Sequence, residues 1–152
     1  MPMAEDVANL PYTRMILEEA MRLYPPAPGL SARVALADDE IAGQKIKKGE
    51  LVMVSSWVLH RRRQLWEHPE RFDPDRFLPE RSAGRPRFAY LPFGGGPRVC
   101  IGQQLAMTEA TLILATLAQR YRLRLKPGHQ VRIQQRITIR PVDGLPMTIE
   151  PR

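Results

Sequence analysis

Proline decides first what this chain can become. Fifteen of its 152 residues are proline, about twice average usage, and they gather in "LYPPAPG", in "HPERFDPDRFLPERSAGRPR" and near the C-terminus. The proline ring fixes φ and removes a backbone donor, so helices stop where it recurs and central strands exclude it. That is too much proline for a helical bundle. The pattern predicts a few helices joined by long, specifically shaped coil.

Between the prolines the apolar residues set the elements. "LPYTRMILEEAMRLY" predicts a helix, with Pro11 in its first turn and Pro25 and Pro26 ending it. At about 100° per residue, Tyr12, Met15, Ile16, Ala20 and Leu23 form one apolar stripe. "SARVAL" and "DEIAG" read as short strands, "KKGE" as a turn and "LVMVSS" as a buried strand. Residues 60 to 92 read as an ordered meander. "QQLAMTEATLILATLAQRY" is apolar on nearly every side, which predicts a helix inside the core. The tail "QVRIQQRITIRPVDGLPMTIE" alternates as strands do, with "VDGL" as its hairpin turn. The expected class is mixed, mainly α with small β-sheets.

At 43% hydrophobic and 26% charged residues, the chain has the material for one domain or a piece of one. No apolar run is long enough to span a bilayer, and "MPMAEDVANL" lacks the regions of a secretory signal. A single cysteine excludes an internal disulfide framework and favours a reducing compartment, so the expected location is cytoplasmic. The net charge of +7 suits an anionic partner. Apart from "RRR" at 61 to 63, however, the basic residues are scattered and not interleaved with aromatics. A solvated basic surface is therefore expected, and no nucleic-acid partner.

Two places carry chemistry. Glu19 points into the apolar stripe of the first helix, where a lone carboxylate costs several kcal/mol. Arg22, three residues on, is its neighbour, and Arg76 in "FDPDRF" is the candidate to complete a buried network. An ordinary surface ion pair is the competing reading. The second place is Cys100, the only thiol, in "FGGGPRVCIGQQLA". A cysteine just ahead of a helix, two residues from Arg98, is placed to exist as a thiolate. Gly96 and Gly102 would let a flat, bulky cofactor approach the backbone, and Arg98 could pair with an acid group on it. A small buried thiol and a phosphate-binding loop remain open on the residues alone. The loop lacks the endings of the nucleotide motifs, and no histidine spacing suits a nucleophile or zinc.

"FGGGPRVCIG" resembles the haem-binding signature F-x-x-G-x-R-x-C-x-G of the cytochrome P450 superfamily of haem-thiolate monooxygenases, at Phe93, Gly96, Arg98, Cys100 and Gly102. "EAMR" resembles the E-x-x-R helix of that family, and "FDPDRF" its segment carrying the third member of a Glu–Arg–Arg network. The resemblance implies that Cys100 is the axial ligand, and thus the catalytic and metal-binding residue, of haem b (iron protoporphyrin IX). It implies that Phe93 packs near the sulfur, and that Arg98 and, with it, Arg33 bind the propionates. It further implies insertion of one atom of dioxygen into an apolar small molecule, with the other leaving as water. The electrons would come from NAD(P)H through an acidic flavin or iron–sulfur redox partner. The matched motifs belong to the C-terminal part of such proteins, and nothing resembles the long distal helix that delivers protons. Residues 1 to 152 are therefore expected to be the C-terminal portion of one haem domain, inactive alone.

Overall fold

The computed structural model describes residues 2–152, excluding the side chains of Leu30 and Ser31. Helix α1 (Pro11–Leu23) precedes strands β1 (Gly29–Val34), β2 (Asp39–Ile41), β3 (Gln44–Ile46) and β4 (Leu51–Ser55); helices α2 (Ser56–Leu59), α3 (Pro79–Ser82) and α4 (Gln103–Arg120) follow, and then strands β5 (Tyr121–Leu125), β6 (Ile133–Gln135), β7 (Ile139–Pro141) and β8 (Met147–Pro151). Among the described residues the strands pair as four antiparallel two-stranded sheets, β1–β4, β2–β3, β5–β8 and β6–β7. The class is mixed, helix with small sheets.

The first helix begins on Pro11, whose missing N–H has no partner to lose there, and ends against Pro25. It packs on α4 and on the 3-10 turn Pro74–Phe77. Met15, Leu23, Trp66, Ala89, Met107 and Ala115 form the apolar core. Each large side chain buried there contributes roughly 1.5–3 kcal/mol. Tyr12, expected in the stripe, is 58% exposed.

Three further expectations need correction. Helix α4 does not sit inside the core: Met107, Thr111 and Ala115 are buried, while Leu105, Ile113 and Leu117 stay exposed. It has a neighbour on one side, so its all-round apolar character is not matched by all-round cover. Strand β4 has β1 as its partner, and Leu51, Met53 and Val54 remain exposed. "VDGL" joins β7 to β8, which lie in different sheets; the β6–β7 hairpin turns at Arg136–Thr138 instead. Strand β5 was hidden at the end of the α4 pattern, and β3 behind "DEIAG". Ala42 and Gly43, with φ of 49° and 80°, make the β2–β3 turn, and two positive φ values in succession are what a tight hairpin needs.

The proline-rich coil is tied rather than loose. Ser56 Oγ donates to the Ala27 carbonyl at 3.2 Å, Trp57 N–H to Pro28 at 3.4 Å, and Ile139 N–H to Pro26 at 2.9 Å. Backbone carbonyls that proline leaves unpaired are thereby satisfied from α2 and β7.

Candidate functional site

Glu19, Arg22 and Arg76 meet in the interior; the first two are fully buried and Arg76 is 5% exposed. Arg22 grips the carboxylate with two donors, Nε to Oε2 at 2.7 Å and Nη2 to Oε1 at 2.8 Å. The Asp73 N–H donates to Oε1 at 2.9 Å, and Arg76 Nε lies 3.3 Å from the same oxygen. That last contact is an ion pair by distance, although its angle is not that of a hydrogen bond. The spare donors are also used: Arg22 Nη1 reaches the His60 carbonyl at 2.8 Å, and Arg76 Nη2 reaches the His68 carbonyl at 2.9 Å. A charge removed from water needs such pairing. The cluster clamps α1 to the meander.

The Cys100 loop is built on backbone bonds. Gly94 N–H reaches the Leu91 carbonyl at 3.4 Å, Val99 N–H reaches Gly96 at 3.1 Å, and Cys100 N–H reaches Phe93 at 2.9 Å. Gly94 and Gly96 have φ of 77° and 71°, which a side chain would resist. Gly95 is small for another reason: a Cβ there would lie 3.2 Å from both Phe88 and Leu91. Helix α4 starts three residues past Cys100, with Gly102 at its N-cap. The thiol itself is exposed.

Beside this loop opens a cavity of about 250 Å³, lined by Arg33, Val52, Val54, Phe88, Leu91, Gly94 to Gly96 and Arg98. Arg33 comes from β1 and Arg98 from the 3-10 turn ahead of the cysteine, yet both line one cleft. Phe93 lies on the other side, in a small cleft with Gln103 and Met107 of α4. A Cβ on Gly96 would meet nothing within 4 Å, and one on Gly102 only the Cys100 sulfur at 3.8 Å. The chain's own packing leaves this side of both glycines open.

Sequence reasoning missed His60. It is fully buried, with both ring nitrogens in use. Its one signal was its place at the close of the apolar run "WVLH". The "RRR" patch also looks different in place. Arg61 stacks on the Trp57 ring at 3.6 Å and donates to the Leu23 carbonyl at 2.5 Å, which caps α1. It is structural.

Apolar walls, two arginines and one accessible thiol at a glycine turn suit a flat cofactor that bears acid groups and takes a single sulfur ligand. The fold is that of a haem-thiolate family. The chain belongs to the cytochrome P450 family, whose model matches residues 1–145. It is 44% identical over 153 residues to cyclooctatin synthase from Streptomyces melanosporofaciens, covering 99% of this chain and 32% of that protein. Over 151 residues it is 44% identical to cyclooctat-9-en-7-ol 5-monooxygenase of the same organism, covering 99% of this chain and 32% of that one. The crystal structure of the cytochrome P450DA heme domain matches with a TM-score of 0.93 at 35% identity, over 100% of this chain and 34% of that chain. The chain thus spans about a third of the length of these relatives. Haem is the family's cofactor, and the residues present fit it. Among the described residues, no helix is long and apolar enough to cross a membrane.

Proposed function

We propose that residues 1–152 are the C-terminal, ligand-bearing portion of a haem domain that oxygenates an apolar small molecule. One observation carries the reading: Arg33 and Arg98, far apart in sequence, line the same apolar cleft beside the Cys100 loop. Cys100, as thiolate, holds the iron of haem b. Arg33 and Arg98 pair with its propionates, and Val52, Val54 and Leu91 keep water from its face. Gly96 and Gly102 leave room for the ring edge, while Phe93 and its carbonyl hold the Cys100 backbone. The Glu19–Arg22–Arg76 cluster keeps this half of the site rigid.

When bound, thiolate-ligated haem supplies dioxygen activation, the donor sulfur favouring O–O cleavage. The substrate is apolar. Electrons come from NAD(P)H through an acidic flavin or iron–sulfur partner that docks on the face over Cys100, for which the net charge of +7 provides the attraction. A cytoplasmic setting belongs to the same proposal and rests on the lone thiol. By itself the chain is inactive, since much apolar surface lies bare, Ile101 and Leu105 among it.

The test is a carbon monoxide difference spectrum of the haem-loaded protein and of its Cys100→Ser variant. The parent should give the thiolate signature and the variant should not. Identical spectra would remove Cys100 as the ligand.

A further inference from the structure

The proposed chemistry makes no use of His60, yet its ring bonds both the Arg22 backbone of the ion cluster and the Leu91 amide at the start of the cysteine loop. The Leu91 N–H donates to Nε2 at 2.8 Å, so Nε2 carries no proton. The proton must sit on Nδ1, which donates to the Arg22 carbonyl at 3.2 Å. Arg22 answers by donating Nη1 to the His60 carbonyl at 2.8 Å. Arg22 holds Glu19 with its other nitrogens. On the far side, Leu91 opens the loop: its carbonyl accepts from Gly94, and its side chain lines the cleft with Arg33 and Arg98. The geometry sets cluster, imidazole and loop in series.

We propose that His60, as its neutral Nδ1–H tautomer, is a positioning residue that sets the Cys100 loop in register with the Glu19–Arg22–Arg76 cluster. It thereby fixes how the sulfur meets the iron, a consequence that rests on the haem-thiolate reading above. The essential atom is Nε2, as acceptor for the Leu91 amide. Tyr90 adds a separate tie one residue earlier, its hydroxyl donating to the Glu18 carbonyl at 2.9 Å, so the loop stays near α1 without His60 but loses its register.

The groups around the ring protect this tautomer. Arg22 faces it from α1, Arg61 from its own segment, Tyr90 stands at 5.2 Å and Trp66 at 6.4 Å. Burial, aided by the two arginine charges, lowers the His60 pKa from 6.5 to about 4. A protonated ring would set N–H against N–H at Leu91.

His60→Gln and His60→Asn separate the two bonds. The glutamine amide reaches the place of Nε2 and can accept from Leu91; the asparagine amide reaches only the place of Nδ1. In His60→Asn, amide exchange at Leu91 should quicken roughly ten- to hundredfold, as a buried amide loses its acceptor. The thiolate fraction in the carbon monoxide spectrum should fall in the same variant. His60→Gln should rescue both readouts. Equal behaviour of the two variants, whether both intact or both lost, would overturn the inference. If neither variant folds, nitrogen NMR of the parent decides: an unprotonated Nε2 supports the proposal and a protonated one overturns it. Should the parent lack a thiolate spectrum, the haem reading fails, and the Leu91 exchange rates still judge the role of His60 in the loop.

Discussion

Replacing Glu19 by glutamine alters almost nothing except charge. The side chain keeps its length and shape, so no cavity opens. What is lost is the anion between two guanidinium groups, those of the fully buried Arg22 and the 5% exposed Arg76. One carboxylate oxygen now accepts at 2.7 Å from Arg22 Nε; the other takes Arg22 Nη2 at 2.8 Å and Asp73 N–H at 2.9 Å. Glutamine can supply one acceptor and must turn its NH₂ toward a donor. Removing one partner of a buried pair costs about 3–5 kcal/mol. Glu18 is the control, one residue along the same helix. Its exposed pair with Arg14, at 3.2 Å, is worth only about 0.2–0.5 kcal/mol. Urea unfolding of the parent, Glu19→Gln and Glu18→Gln, compared at equal m, gives both differences. The Glu19 loss should also persist in about 1 M salt, because buried charges are screened little. A Glu19→Gln cost no larger than that of Glu18→Gln would refute the idea that this carboxylate clamps the fold.

His60, held at about 4 against its ordinary 6.5 by burial, makes stability depend on pH. The unfolded chain takes up the proton first, so this contribution is complete above 6.5 and drains away toward 4. Between pH 7 and pH 5 that amounts to about 2 kcal/mol, which urea midpoints should show in the parent and not in His60→Gln. Cys100→Ser should change the stability of the cofactor-free chain by no more than about 0.5 kcal/mol, since the thiol is exposed, yet abolish the thiolate spectrum. Gly102→Ala should leave that stability nearly intact, with only the Cys100 sulfur 3.8 Å from the new carbon, but weaken haem retention. Gly95→Ala should destabilise even the cofactor-free chain, because Phe88 and Leu91 stand at 3.2 Å; circular dichroism melts would distinguish the two.

Much of the architecture was legible because its signals are local. Pro11 and Pro25 bracket α1 by their own ring geometry, and the switch from helical to alternating pattern near Gly29 marks β1. Glu19 at a core position with Arg22 three residues on is likewise a local signal, since a buried carboxylate must find cations. Errors arose where burial depends on a neighbour. "LVMVSS" and α4 are apolar enough to be covered, but whether anything covers them is a property of the assembly and not of the segment. "VDGL" has turn chemistry, yet which strand follows it into which sheet was decided by β5, fifteen or more residues upstream.

Residue type and spacing were enough to mark Cys100, Arg98 and the glycines around them, because short-range backbone geometry and donor chemistry are written within a dozen positions. Three-dimensional packing alone brought Arg33 from β1 into the cleft of Arg98, and set the His60 ring between the Arg22 carbonyl and the Leu91 amide. Those contacts join residues 31 to 65 positions apart, and no pattern within a segment records a bond whose second partner is chosen by how the elements close on one another.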